Sequence, residues 1–218
     1  MLIAKDLDNN KVLPSPKMSA ICPHCEQEVL SKCGDINVWH WAHLISCPFE
    51  YERETEWHKL WKDRAVSFGL ELEHMFVRHI TDAIDHKKKV CYEFQYSPIS
   101  RIEMVSRVIH YKTFNYSTKW IFDYKEKKDS DQLIISHVNN LVVKFQQKWA
   151  KRTITDLFEG KSILFGVIYF DTGDDIILVR KLYENGNGWG YIVTPQHILN
   201  NSLIQKNYWG QDKQLFKF

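Results

Sequence analysis

Among the hydrophobic and polar positions along the chain, the run Val90-Cys91-Tyr92-Glu93-Phe94-Gln95-Tyr96 stands out as rich in the apolar and aromatic residues that strands favour, with Glu93 and Gln95 set among them. With Thr81 to Ala83 before it and the charged connector Asp85-His86-Lys87-Lys88-Lys89 between, it reads as a hairpin. Glu93 and Gln95 share one face of the second strand, while Phe94 points the other way into a core. Asp82 on the first strand completes a group of acids and an amide. Carboxylates brought together in this way repel unless something positive lies between them, so a hard divalent cation is expected there. Asp85 is the rival acid, but its odd separation from Asp82 turns it to the opposite face. The lysines of the connector read as a solvated turn.

Upstream, Glu54, Trp57, His58, Trp61, Lys62 and Ala65 recur at helical spacing between Glu50 and Leu72. Trp57, Leu60 and Trp61 supply the apolar side. Glu54, His58 and Lys62 form a polar stripe, and the commonest meaning of such a stripe is a solvated helix face. Glu56 lies off it. Glu71 to Val77 leads into a strand that Arg78 to Ala83 continues. Downstream, Ser97 or Ser100 caps a helix running through Lys112, with Ile102, Val105, Arg107, Ile109 and Tyr111 in its pattern, and Glu103 completes a capping box with Ser100. Lys119 to Asp123 is an apolar strand. Strand, helix, strand is the unit that accompanies parallel pairing, so a mixed sheet covered by helices is expected.

Lys125 to Ser130 is a charged break. Beyond it, Leu141, Phe145 and Trp149 suggest a helix over Asn139 to Arg152, whose Lys148, Lys151 and Arg152 make a basic outer face. Strands follow over Ser162 to Phe170 and Ile176 to Val179, around the turn Asp171 to Asp174. Asn185 to Gly188 is a further turn, Trp189 to Val193 a strand, and Thr194-Pro195 opens a short helix.

The N-terminal section changes the picture through its cysteines. Lys11 to Leu13 and Ala20-Ile21 read as short strands, and Cys22-Pro23-His24-Cys25 is a knuckle in which two thiolates can meet one ion. His40, His43 and Cys47 follow. Zinc takes four such ligands, and Cys22, Cys25, His43 and Cys47 are the expected set, with His40 the substitute for either of the last two. Cys33 falls in a turn. An ion here would be structural, since the module is too small to hold itself together. Five cysteines, an odd number, in a chain of 218 residues suit metal binding in a reducing compartment better than disulfides. A signal sequence and membrane spans are not evident, which points to the cytoplasm and to no membrane partner. A net charge of +2 leaves nucleic-acid binding to local basic patches. Neither a phosphate-binding loop nor a nucleophile elbow is present.

The string Glu93-Phe94-Gln95-Tyr96-Ser97-Pro98-Ile99-Ser100 resembles a segment of the CoiA-like competence proteins. Those proteins also carry a Cys-x-x-Cys and His-x-Ala-His module, here Cys22 to Cys25 and His40 to His43. They share a helix of the Glu54-Thr55-x-x-His58-x-x-x-Lys62 type, in which Thr55 replaces the usual serine. The resemblance covers roughly Cys22 to Asp123 and implies the PD-(D/E)xK nuclease superfamily. It implies an α+β or α/β chain with a zinc module over 1–49 and a restriction-endonuclease-like core of mixed sheet and flanking helices over 50–125; beyond the resemblance, the strand pattern adds a β-rich C-terminal α/β extension over 126–218, either part of the same domain or a lobe of its own. The resemblance also implies that the helical stripe faces the metal, with Glu54, His58, Lys62, Asp82, Glu93 and Gln95 in the active site. Asp82, Glu93 and the Phe94 carbonyl would hold Mg²⁺ or Mn²⁺, and the substrate would be DNA in uptake or recombination, alongside proteins of those processes. Gln95 departs from the lysine usual in the superfamily, and an amide brings no positive charge to a transition state. Lys62 is the candidate to replace it. The alternative is a DNA-binding accessory protein that keeps the fold and the zinc module without the activity.

Overall fold

The computed structural model describes residues 1–47, 54–148, 166–183 and 185–200. It is a mixed α+β structure dominated by strands, and it divides into two compact units, one over Met1–Phe122 and one beginning at Asp123. Among the described residues no helix is long and apolar enough to cross a membrane.

The first unit opens with β1 (Ala4–Lys5), β2 (Lys11–Val12), β3 (Ser19–Ile21), β4 (Glu28–Lys32) and β5 (His40–His43), which form an antiparallel sheet in the order β2-β1-β3-β4-β5. Met1, Ala4, Ala20, Cys22, Val29 and Trp41 make its core. Helix α1 (Glu56–Ser67) starts at Thr55, whose hydroxyl accepts from the His58 N–H at 3.2 Å. It ends before Gly69, where φ is +74° and a side chain would be strained.

Strands β6 (Glu71–Met75), β7 (Ile80–Asp85) and β8 (Val90–Gln95) are antiparallel neighbours. The continuous strand expected from Glu71 to Ala83 is therefore two strands joined by a turn. Phe76 is buried and its N–H donates to the His79 carbonyl at 2.9 Å, closing the turn around exposed Val77 and Arg78. Asp85 closes the next turn by accepting from the Lys87 and Lys88 N–H groups, each at 3.0 Å. Helix α2 (Arg101–Thr113) then crosses to β9 (Ser117–Asp123), which pairs parallel with β8 from Val90↔Ser117 to Gln95↔Phe122. The Ser100 hydroxyl caps α2, accepting from the Glu103 N–H at 3.1 Å. The strand order is β9-β8-β7-β6. All six residues of β8 are buried, as expected for a strand covered on both faces.

The second unit has α3 (Lys125–Asp129), β10 (Leu133–His137), β11 (Val142–Gln147), β12 (Val167–Asp171), β13 (Ile176–Leu182), β14 (Asn187–Val193) and α4 (Pro195–Asn200). Its strands are antiparallel in the order β10-β11-β14-β13-β12. The helix expected over Asn139 to Arg152 is strand β11 in its described part. Val143, Phe145 and Gln147 are buried while Lys144 and Gln146 are exposed, an alternation of period two. The Asn139 side chain turns the chain into this strand by accepting from the Leu141 and Val142 N–H groups, each at 2.8 Å. Trp149, Lys151 and Arg152 lie outside the described residues, as do Ser162 to Phe165 of the expected strand. Backbones pack closely at Gly190, where a Cβ would meet the Leu178 carbonyl oxygen at 2.3 Å.

Candidate functional site

The polar stripe of α1 is buried rather than solvated. His58, Trp61, Lys62 and Ala65 form the inward face, and Leu60, expected on the apolar side, is 46% exposed. Trp61 packs against Phe94 of β8 with ring centroids 5.7 Å apart, which sets α1 over the strands. The Lys62 ammonium, 2% exposed, then lies among carboxylates from three directions: Glu54 at 2.5 Å, Glu73 at 2.9 Å and Asp82 at 3.7 Å. Burial alone would lower the Lys62 pKa. The carboxylates of Glu73, Glu54 and Asp82 outweigh that and hold it above the ordinary lysine value.

Glu73 is the member that sequence reasoning missed. A regular strand would send Leu72 inward and Glu73 outward, yet both are buried because Glu73 adopts φ +48°. The pairings Leu72↔Ala83 and His74↔Thr81 on either side place it opposite Asp82. Such a backbone costs about 1–3 kcal/mol, which the surroundings offset. Its carboxylate accepts from the Leu2 and Ile3 N–H groups at 2.8 and 3.1 Å as well as from Lys62. Burial pushes the Glu73 pKa up, but Lys62, the Met1 ammonium and the Leu2 N–H bring it down to about 2. No sequence signal marks a left-handed glutamate inside a strand.

Asp82 accepts from the Phe94 N–H at 2.8 Å, and its side chain, 25% exposed, is the most accessible carboxylate of the group. Glu93 on the neighbouring strand is 1% exposed. Its two oxygens accept from the Tyr111 hydroxyl at 2.6 Å and the Arg107 guanidinium at 2.8 Å, both on α2. Burial raises its pKa to about 7, with the charge of Asp82 adding to the rise and Arg107 opposing it. The Gln95 amide donates to the Ser97 carbonyl at 2.8 Å. The Phe94 carbonyl takes the His58 Nε2–H at 2.8 Å, while His58 Nδ1 faces the Thr55 hydroxyl at 3.1 Å. Asp85 stays in its turn, and Glu56 is exposed.

These groups suit a hard cation. The second oxygen of Glu54 is buried and has no hydrogen-bond partner among the described residues, which leaves a lone pair without a donor on the carboxylate that pairs with Lys62. Asp82 offers an accessible oxygen, and Glu93 keeps acceptor capacity beyond its two donors.

A separate cluster sits at the N-terminal sheet. Ligand atoms of Cys22, Cys25, His43 and Cys47 lie within 4.8 Å of one another, with Cys25 Sγ 3.4 Å from His43 Nε2. The knuckle follows β3, and β5 delivers His43 through its pairing Val29↔His43. Burial lowers the His43 pKa, which favours the neutral imidazole that ligation requires. The four expected ligands thus come together as a Cys₃His set that could hold a metal such as zinc. His40 instead has its Nδ1 on the Val38 carbonyl at 2.8 Å, and Cys33 is outside the cluster.

The family model of the competence protein CoiA N-terminal domain matches residues 7–50, and that of the CoiA nuclease-like domain matches residues 69–163. The first covers the Cys₃His cluster, and the second covers Glu73, Asp82, Glu93 and Gln95. Glu54 and helix α1, with its His58 and Lys62, lie between them. No curated protein and no solved structure matches the chain significantly. With both domains matched in order along most of its length, the chain belongs to the CoiA-like competence protein family.

Proposed function

We propose that the chain is a metal-dependent DNA nuclease that hydrolyses phosphodiester bonds during the processing of DNA in competence or recombination. The observation that carries this reading is the buried Lys62 among Glu54, Glu73 and Asp82, beside Glu93, with Glu73, Asp82 and Glu93 falling in the stretch that the nuclease-like domain matches. Asp82, Glu93 and Glu54 would hold Mg²⁺ or Mn²⁺, which supplies Lewis-acid polarisation of the phosphate and a water of lowered pKa. Lys62, fixed by its carboxylates, replaces the lysine missing at Gln95 as the cation nearest Asp82. The Gln95 amide is engaged with Ser97, which suits it to shaping the strand end rather than to charge stabilisation. His58 locks the Phe94 carbonyl and so the backbone between Glu93 and Gln95. Arg107 and Tyr111 orient Glu93. The Cys₃His cluster is proposed to hold structural zinc.

The second reading, a DNA-binding accessory protein without cleavage activity, has its own support. Both Glu93 oxygens already take strong donors, and Lys62 is fully committed to carboxylates. Incubation with linear, circular and single-stranded DNA in Mg²⁺ and in Mn²⁺ separates the two. Cleavage of any form supports the nuclease; binding without cleavage of every form supports the accessory protein.

A further inference from the structure

Two histidines outside both sites converge on one carboxylate. Glu71 and His74 of β6 and His86 in the turn after β7 have ligand atoms within 4.8 Å of one another. His86 Nε2 lies 2.8 Å from one Glu71 oxygen, and His74 Nδ1 lies 3.2 Å from the other. On a regular strand Glu71 and His74, three apart, would face opposite ways. The left-handed backbone at Glu73 between them breaks the alternation. The pairing Glu71↔Ile84 then brings His86 alongside.

The rings are held in place. The Tyr116 hydroxyl sits 2.9 Å from His86 Nδ1, the outer-shell contact that fixes the orientation and tautomer of a metal-binding imidazole. His74 packs edge-on against Phe76 at 5.1 Å and His86 at 5.0 Å between centroids. Lys11 shares the carboxylate, its ammonium 2.7 Å from Oε1, and it also reaches the Leu72 carbonyl at 3.2 Å, so it keeps an acceptor when Glu71 turns to another cation.

We infer that Glu71, His74 and His86 form a second metal site, selective for borderline divalent cations of the zinc, nickel and cobalt class. Two imidazoles and one carboxylate favour those ions over Mg²⁺, which prefers oxygen ligands throughout. The site differs in chemistry from the thiolate cluster and from the oxygen-rich group around Asp82, and it does not depend on whether DNA is cleaved. An ion there ties β6 to the β7–β8 turn, two residues from Glu73.

Calorimetric titration of Ni²⁺ into the full chain, with the Cys₃His cluster first loaded with zinc, tests this. One binding event is expected, unaffected by millimolar Mg²⁺ and weakened at least ~10-fold in His74→Ala, in His86→Ala and in Glu71→Gln. Lys11→Met removes the competing ammonium and should tighten binding several-fold. Circular dichroism verifies that each variant is folded. No binding by the wild-type chain, or binding by His74→Ala and His86→Ala as tight as that of the wild-type chain, would overturn the inference.

Discussion

Lys62→Met removes the ammonium from the Glu54, Glu73 and Asp82 carboxylates and leaves a side chain of similar length. At an effective dielectric of about 20, a unit pair at the Lys62–Glu73 distance of 2.9 Å is worth about 6 kcal/mol. Desolvation of the two ions offsets much of that, and breaking a buried pair by removing one partner typically costs about 3–5 kcal/mol. We expect a loss of that size in urea unfolding at pH 7, because Glu54 and Glu73 are left buried without their counter-charge. Adding Glu73→Gln removes one stranded charge while its single amide oxygen keeps an acceptor for the Leu2 N–H, at the cost of the second acceptor facing the Ile3 N–H. The double variant should therefore recover about 2 kcal/mol relative to Lys62→Met alone. Glu73→Gln in the wild-type background should instead destabilise. A cost below ~1 kcal/mol for Lys62→Met, or simple additivity of the two changes, would refute the placement of Lys62 as the charge centre.

In cobalt-substituted protein, Cys25→Ser should weaken the thiolate-to-metal charge-transfer absorption and release the ion from the Cys₃His cluster, while Cys33→Ser leaves the spectrum unchanged. Lys119 on β9 is 5% exposed, and burial, helped by Lys88, lowers its pKa to about 8. The unfolded chain holds that proton up to about pH 10.4, so this group's contribution to stability rises with pH between those values and is least favourable below about pH 8. Lys119→Met should accordingly stabilise the protein at pH 7, and urea midpoints should show that advantage shrinking as the pH approaches 10. An advantage that is constant with pH would contradict the assigned titration. Ser100→Ala should cost about 1 kcal/mol in the same assay through loss of the α2 cap.

Features set by short-range chemistry were legible in the sequence. The Ser97–Ser100 segment with Glu103 announced the start of α2, the apolar and aromatic run Val90 to Gln95 announced β8, and the strand-helix-strand order announced the parallel β8–β9 pair. The knuckle and the later His43 and Cys47 likewise announced the cluster they form. The misread helix shows why spacing alone deceives. Leu141, Phe145 and Trp149 are four apart, which fits a helical turn but is also an even number, so it fits a strand equally well. The adjacent valines and alternating Lys144 and Gln146 were the better guide. Periodicity alone gave no sign that the polar stripe is buried, because two of the three carboxylates around Lys62, Glu73 and Asp82, come from strands distant in the chain. Glu73 itself was invisible, since its role follows from one left-handed backbone angle.

In the proposed nuclease, Asp82 serves hydrolysis rather than the fold. Its accessible carboxylate makes it the one member of the group that can be neutralised at little structural cost, whereas Glu73 and Glu93 are fully buried. The direct measurement is single-turnover DNA cleavage in Mn²⁺ by the wild-type chain and by Asp82→Asn, with the Asp85→Asn variant alongside. Cleavage by the wild-type and Asp85→Asn proteins, with at least ~10²-fold loss in a folded Asp82→Asn protein, is the predicted result. Cleavage undiminished in Asp82→Asn, or lost only in Asp85→Asn, would contradict it.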